Sequence, residues 1–410
     1  MSKQTTKTTY QIPVGPIHPA LKEPVQFEFE IDGERIVNAD VALGHVHRTI
    51  EWTGMQRNPV QILYLAERIC GICSYCHPMA FALATEQVAG IEVPLRAQYL
   101  RVIHAELERI CSHVLWAGVA AHEIGFDSLL YVTWQIREKA LDLTEYLTGN
   151  RITKAITMIG GVRRDITPDM HPTINEGLEF LKKSFNKLKK GFLDDKTVKL
   201  RSQGCGILTY ENALKLCAVG PTTRASGVKK DVRLDQPYFA FGDLDFDYVT
   251  PDVLTGEVNG DVYDRIIVRL LEVKQSIDLM EQCLADMPEG DIVAEPKLAK
   301  LLASLKKIEG DGIGRMEAPR GEVIHFVKYV GQEHPYSWKV RAPTYSNILP
   351  WIPMLTGEQI ADIPIVAAST DPCMSCTNRV TVIEDEKKHD LSADDLHRLS
   401  IEKTRRMMQL

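Results

Sequence analysis

The sequence predicts a mainly α fold, a single large domain carrying small β appendages. Long stretches between positions 94 and 287 repeat apolar residues at helical spacing. An alternating segment near the start reads as a hairpin, and no Pro/Gly/Ser-rich linker separates the helices. A chain of 410 residues could hold one large domain or two to three ordinary ones, and the missing linker favours the first.

Residues 10–45 make the first β region. Val25, Phe27, Phe29 and Ile31 alternate with Gln26, Glu28 and Glu30, the period of a half-buried strand. Asp32-Gly33 suits a tight turn, and Ile36, Val37, Ala39 and Val41 supply the return strand. A helical core is expected over 55–310. Its clearest helix runs from Pro94 to Ala117, where Tyr99, Ile103, Leu107, Ile110 and Val114 share one face and Pro94 suits the first turn. Others are expected at Leu129–Leu147, closed by Gly149, at Pro172–Lys190, and at Asp261–Met287, ended by Pro288-Glu289-Gly290. The apolar run Val323-Ile324-His325-Phe326-Val327 marks a small β region over 311–345. The remainder, 346–410, holds a second cysteine pair and a last helix at Ser392–Met408.

The composition narrows the function classes. A hydrophobic fraction of 44% and a charged fraction of 25% allow a sizeable core without disulfides. A net charge of −7 argues against nucleic acid as a partner. The polar segment Met1–Tyr10 has no apolar stretch of a secretory signal, and no run approaches the roughly 20 apolar residues of a membrane span. Any membrane association is therefore expected through partner subunits. The nine cysteines then read as ligands or buried thiols rather than a disulfide framework.

Four cysteines fall in two CxxC units, Cys70-Gly71-Ile72-Cys73 and Cys373-Met374-Ser375-Cys376. Cysteines three apart can direct both sulfurs at one metal, and four thiolates suit a soft or borderline ion. A thioredoxin-like dithiol needs one CxxC beside a βαβ pattern, which neither unit has. A structural zinc site normally spaces its pairs about 15–20 residues apart, whereas Cys73 and Cys373 differ by 300 positions. A site that joins both ends of the chain belongs at the centre of the fold, where water and competing metals can be excluded. Coincidental burial of thiols is the remaining bland alternative.

Glu67-Arg68-Ile69-Cys70-Gly71-Ile72-Cys73 and Asp371-Pro372-Cys373-Met374-Ser375-Cys376 resemble the two signature motifs of nickel–iron hydrogenase large subunits. The resemblance covers almost the whole chain. It extends to Gly160-Gly161-Val162-Arg163-Arg164-Asp165, Gly220-Pro221-Thr222-Thr223-Arg224, Gly260-Asp261-Val262-Tyr263-Asp264-Arg265 and Glu317-Ala318-Pro319-Arg320-Gly321. Gly15-Pro16-Ile17-His18-Pro19 is similar to the energy-converting group shared with the quinone-site subunit of complex I, a relative that lacks the paired cysteines.

The resemblance implies that Cys70, Cys73, Cys373 and Cys376 hold nickel, with Cys73 and Cys376 bridging to an iron that carries carbon monoxide and cyanide. It implies heterolytic H2 cleavage, with metal as Lewis acid and sulfur as base. Arg320 would hang its guanidinium over the open face of the metals; the plainer alternative is a buried ion pair with Glu317 or Asp371. Ser369 would donate to a cyanide, or else cap a helix N-terminus. Glu23 resembles a proton-transfer glutamate, although alone it reads as a loop charge. Glu51 resembles a carboxylate that could ligate magnesium. Arg379, where many hydrogenases have a ligating histidine, weakens that expectation.

Cys76, Cys111, Cys205, Cys217 and Cys283 read as core thiols, and Glu106 with His113 as part of a structural ion-pair network on one helix face. The lysines between Lys182 and Lys190 read as a solvated face, with docking of an acidic partner as the alternative. The other cysteines lack iron–sulfur spacing, so an iron–sulfur small subunit with a [4Fe–4S] cluster is expected beside the site. By the resemblance, membrane-arm subunits, ferredoxin as electron donor, coupled ion translocation and a peripheral place on the cytoplasmic side of the membrane follow. The alternative is a complex I-like electron-transfer subunit acting on quinone or sulfane sulfur.

Overall fold

The computed structural model describes residues 9–19, 21, 23–377, 382–384, 387–389 and 393–408. Strands β1 (Tyr10–Val14), β2 (Gln26–Asp32) and β3 (Arg35–Ala42) form an antiparallel sheet in that order. The expected hairpin is β2–β3, and β1 extends it by pairing Val14 with Phe27. Phe27 and Phe29 point to the buried face, where Phe27 meets Trp351 at 5.1 Å between ring centroids.

Helices α1 (Ile50–Gly54), α2 (Pro59–Glu67) and α3 (Cys76–Ala89) lead into the long pair α4 (Leu95–Glu123) and α5 (Asp127–Thr148). Pro94 flanks the start of α4, and Gly149 closes α5 in the left-handed region at φ 84°. Helix α6 (His171–Asp194) packs on α5, and α7 (Val262–Asp286) on both α4 and α6. The Asp261 carboxylate caps α7 by accepting from the Asp264 N–H at 2.9 Å, as a good N-cap residue does. Buried on nearly every face, α4 is the central rod of the core.

Residues 203–260 depart from the helical expectation. Helices of four to six residues alternate there with turns, and Gly204, Gly206, Gly220, Gly227, Gly256 and Gly260 all adopt positive φ. A helix does not run through such positions. Cys217 is exposed in this region at φ 54°, contrary to its expected core place, because it sits on the turn that ends a short helix. Cys111 is half-buried, while Cys76, Cys205 and Cys283 are buried.

Strands β4 (Glu309–Ala318), β5 (Gly321–Val330) and β6 (Ser337–Arg341) form a second antiparallel sheet. Their tight β4–β5 turn holds Pro319 and Arg320. This sheet lies against α3, and β4 comes close enough that a methyl group on Gly314 would run into the Ala80 carbonyl. After it, α8 (Ile363–Ser369) leads into the second cysteine loop. The final helix α9 (Ala393–Met408) returns to α1, where Trp52 donates to Asp394 at 2.7 Å and stacks on His397. No helix of the described residues is long and apolar enough to cross a membrane.

Gly314→Ala should wedge α3 from β4 and destabilise the protein by about 1–3 kcal/mol. Gly242→Ala, at an exposed position whose nearest neighbour is Pro237 at 3.6 Å, should stay within about 0.5 kcal/mol. Denaturant unfolding of both variants checks the difference.

Candidate metal centre

Two loops from opposite ends of the chain meet between the sheets and α4. Cys70 and Cys73 lie on the turn between α2 and α3, and Cys373 and Cys376 on the turn after α8. The Cys373 sulfur lies 2.9 Å from that of Cys70 and 3.0 Å from that of Cys376. Cys70, Cys373 and Cys376 could all ligate one ion, their sulfurs lying within 4.8 Å of one another. Cys73 falls outside that group of three and acts on Cys70 as a further neighbour. All four are buried free thiols, so neither pair is a disulfide.

Such closeness has an electrostatic consequence. Hydrogen bonds from Cys373, Cys376 and Cys73 draw Cys70 well below the ordinary thiol range. The bond to Cys70 and burial push Cys73 well above it, and the bond to Cys373 does the same for Cys376. Four thiolates here would require a cation among them, and their donor set fits nickel with a second metal.

Three groups hold the loops in place. The Arg48 guanidinium donates to the carbonyls of Arg68 at 3.0 Å and Ile69 at 2.8 Å, and to that of Ser375 at 2.7 Å, tying the early loop to the late one. The Glu23 carboxylate accepts from the N–H groups of Met374 and Ser375 and from the Ser375 hydroxyl at 2.7 Å, capping the turn that carries Cys376. Ser375 Oγ is in turn 3.2 Å from Cys373 Sγ, so carboxylate, hydroxyl and sulfur form one connected path. Thr344 accepts from the Cys373 N–H at 3.1 Å.

Arg320 makes the ion pair with Asp371 that the sequence offered as the plainer alternative, and it also meets a cysteine sulfur. Its Nη1 donates to Cys73 Sγ and Ser112 Oγ, both at 3.2 Å, while its Nη2 pairs with Asp371 at 2.6 Å. Burial opposes its charge, but Asp371 and the cysteine sulfurs hold it well above its ordinary range. Glu317 is not its partner; that carboxylate pairs with Arg224 at 2.8 Å. Gly220 and Gly321, both at positive φ, let two backbones touch behind the Arg320 turn. The second oxygen of Asp371 is buried without a hydrogen-bond partner.

Beneath this turn lies a buried lattice of charges. Arg109 pairs with Glu106 at 3.1 Å and donates to the carbonyls of Glu317 and Ala318. Arg233 joins Glu106 to Asp231, Arg224 joins Glu272 to Glu317, and His113 bonds Glu272 at 2.9 Å. Burial alone would raise Glu272; Arg224, His113 and Arg109 hold it well below the carboxylate range. Glu106 and His113 thus belong to a structural network.

Ser369 and Glu51 differ from their expected settings. Ser369 is the last residue of α8, not an N-cap; its hydroxyl donates to Val366 O at 2.6 Å and accepts from Arg265 at 2.8 Å. Glu51 bonds the Val340 N–H at 2.8 Å and the Lys339 ammonium at 3.4 Å, and belongs to neither candidate ion-binding group among the described residues. Arg379 lies outside the described residues.

The residue most clearly overlooked in the sequence is His77. Its Nε2 lies 3.4 Å from Cys376 Sγ and its Nδ1 lies 3.1 Å from Nε2 of His325. Burial pushes His77 down to about 4 and His325 well below the imidazole range, so both rings are neutral. His77 stands one turn beyond Cys73 on α3, a spacing that could have flagged it. On the opposite side an apolar cavity of about 310 Å³, lined by Leu21, Val25, Phe27, Val119 and Trp351, reaches Cys373 and Arg320.

Comparison with known proteins gives the family. Residues 48–117 match the model described as nickel-dependent hydrogenase, and residues 123–379 the one described as the 49 Kd subunit of respiratory-chain NADH dehydrogenase. The chain is 46% identical to the membrane-bound hydrogenase subunit alpha of Pyrococcus furiosus, over 96% of its own length and 93% of that protein's. It is 39% identical to the carbon monoxide-induced hydrogenase of Rhodospirillum rubrum, over 91% and 100%. Among solved structures, the membrane-bound sulfane sulfur reductase, an archaeal respiratory membrane complex, contains a chain with TM-score 0.83 and 29% identity. The match spans 92% of this chain and 100% of that one. With identities of 46% and 39% over nearly its full length, the chain belongs to the family of membrane-bound hydrogenase large subunits, related to the 49 kDa subunit of respiratory NADH dehydrogenase and to energy-converting complexes.

Proposed function

We propose that the chain is the catalytic subunit of a nickel–iron hydrogenase that interconverts H2 with protons and electrons. The observation that carries this reading is the convergence of the Cys70 and Cys373 pairs under the Arg320 cation. Cys70, Cys73, Cys373 and Cys376 would hold nickel, with Cys73 and Cys376 shared with an iron bearing carbon monoxide and cyanide. When bound, that centre supplies the Lewis-acid and redox chemistry of H2 cleavage.

The chain's own residues prepare the site for charge and proton movement. Arg320 keeps a fixed positive charge against the sulfurs in a dry pocket, where it offsets their negative charge at no cost of reorganisation. Asp371 orients that guanidinium through one of its carboxylate oxygens. Cys373, Ser375 and Glu23 provide a hydrogen-bonded route for a proton from sulfur to carboxylate. Ser369 would turn its hydroxyl from Val366 to an iron-bound cyanide. Glu51, already bonded to β6, is not assigned an ion.

Electrons would reach the site through an iron–sulfur small subunit with a [4Fe–4S] cluster, held with this chain on membrane-arm subunits at the cytoplasmic face. Reduced ferredoxin would be the donor, and proton reduction would be coupled to ion translocation. Relatives that are subunits of membrane-bound hydrogenase and respiratory complexes support the membrane arm. A second reading, reduction of sulfane sulfur or quinone, is favoured by the likeness to a chain of the membrane-bound sulfane sulfur reductase and by the match to the 49 Kd subunit model.

Metal analysis separates the readings. The purified complex should contain nickel and iron, and its infrared spectrum should show carbon monoxide and cyanide bands; zinc alone, or no nickel, rejects the hydrogenase reading. Cys373→Ser should abolish H2 turnover, and retained turnover removes it as a ligand. Glu23→Gln should slow H2/H⁺ exchange by about 10²–10⁴-fold with metal content unchanged. Normal exchange in that variant removes Glu23 from the proton route.

A further inference from the structure

We infer that Trp338 and His325 set the tautomer of His77, so that His77 presents an N–H rather than a lone pair to the Cys376 sulfur. The inference rests on the proposed metal centre for its consequence, and on hydrogen-bond accounting for its content. The three side chains form an unbroken buried line. Trp338 Nε1 faces His325 Nδ1 at 3.2 Å, His325 Nε2 faces His77 Nδ1 at 3.1 Å, and His77 Nε2 faces Cys376 Sγ at 3.4 Å. Trp338 and His325 are wholly buried and His77 is 1% exposed, so water does not compete for these bonds.

An indole nitrogen can only donate. His325 must therefore offer a lone pair at Nδ1 and carry its hydrogen at Nε2. That hydrogen points at His77 Nδ1, which must accept, so the His77 hydrogen sits on Nε2 and points at Cys376. Any other assignment sets two N–H groups or two lone pairs against each other in a dry interior, where an unmade bond costs about 1–3 kcal/mol. An extra proton on either ring meets the same objection.

The framework makes the line rigid. His325 and Trp338 come from paired strands β5 and β6, where Val327 stands opposite Trp338. His77 is in the first turn of α3, four positions after Cys73. Trp338 is wedged between Phe81, at 5.7 Å between centroids, and Gly54, where a Cβ would strike the indole ring. The indole thus has no room to turn its N–H away.

An N–H bonded to sulfur withdraws electron density and makes that sulfur a weaker base. Cys376 would then be disfavoured as a proton acceptor relative to Cys373, whose neighbour is the Ser375 hydroxyl linked to Glu23. Trp338 and His325 are positioning residues that act through His77; they steer proton uptake toward one sulfur of the late pair.

Nitrogen-15 spectra of the full chain with labelled histidine should show His77 and His325 as single Nε2–H tautomers. An Nδ1–H form of His77 in the wild type overturns the inference whether or not metal is bound. Trp338→Phe should release both rings to mixed tautomers. In the assembled complex it should move the iron-bound carbon monoxide band to lower wavenumber, since Cys376 regains electron density. His325→Leu should do likewise and lower H2 turnover about 10–100-fold. His325→Gln should restore band and turnover, because its carbonyl can accept from Trp338 while its amide donates to His77. Bands unmoved in both Trp338→Phe and His325→Leu, or His325→Gln no better than His325→Leu, overturn it. A wild-type complex lacking these bands altogether rejects the hydrogenase reading instead and leaves the tautomer measurement standing.

Discussion

Mutual crowding of four buried sulfurs is the constraint on which the rest of this structure depends. Thiolates gathered this closely repel one another strongly in a medium that screens charge poorly. The protein meets that cost with positive charge and with geometry. Arg320 lies directly on Cys73, and Arg48 binds carbonyls of both loops so that neither can relax away. A dication in the middle would complete the balance, which is why the donor set reads as a metal centre and not as a redox dithiol.

The ion-pair lattice around Arg109, Arg224, Arg233, Glu106, Glu272 and Glu317 serves the same constraint at one remove. Buried ion pairs add little net stability, because desolvation cancels most of their attraction. Their value here lies in position. Arg109 grips the two carbonyls that precede Pro319, so the turn presenting Arg320 rests on a charged foundation instead of a deformable apolar one. Most members have two partners, but loss of Arg224 would leave Glu317 without its ion-pair partner in the interior.

The architecture was largely legible in the sequence. Helices α4 to α7 announced themselves through apolar spacing and through Pro94, Gly149 and Asp261 at their ends, and the Asp32-Gly33 turn marked its hairpin. The cysteine pairs, Arg320 and Glu23 were found by motif, and the structure brings them together around the sulfurs. What escaped reading depended on tertiary approach. Positive-φ glycines broke the stretch 203–260 into short turns, and Cys217 was carried to the surface by one of them. Arg48, Thr344 and the His77–His325–Trp338 line acquire meaning only when strands and loops from distant positions meet, and periodicity carries no such information. Glu51 gains partners in the same way, meeting the Val340 N–H and Lys339 from the far end of the chain.

The Arg48–Ser375 bond closes a loop of 327 positions, and the sulfur contact between Cys70 and Cys373 one of 303. Closing so long a loop costs only slightly more entropy than a short one, yet it divides the ligands cleanly between the two ends. A nascent or nicked polypeptide carries two cysteines on either fragment and no competent half-centre. The full donor set therefore exists only once both ends of the chain have been made and have folded together.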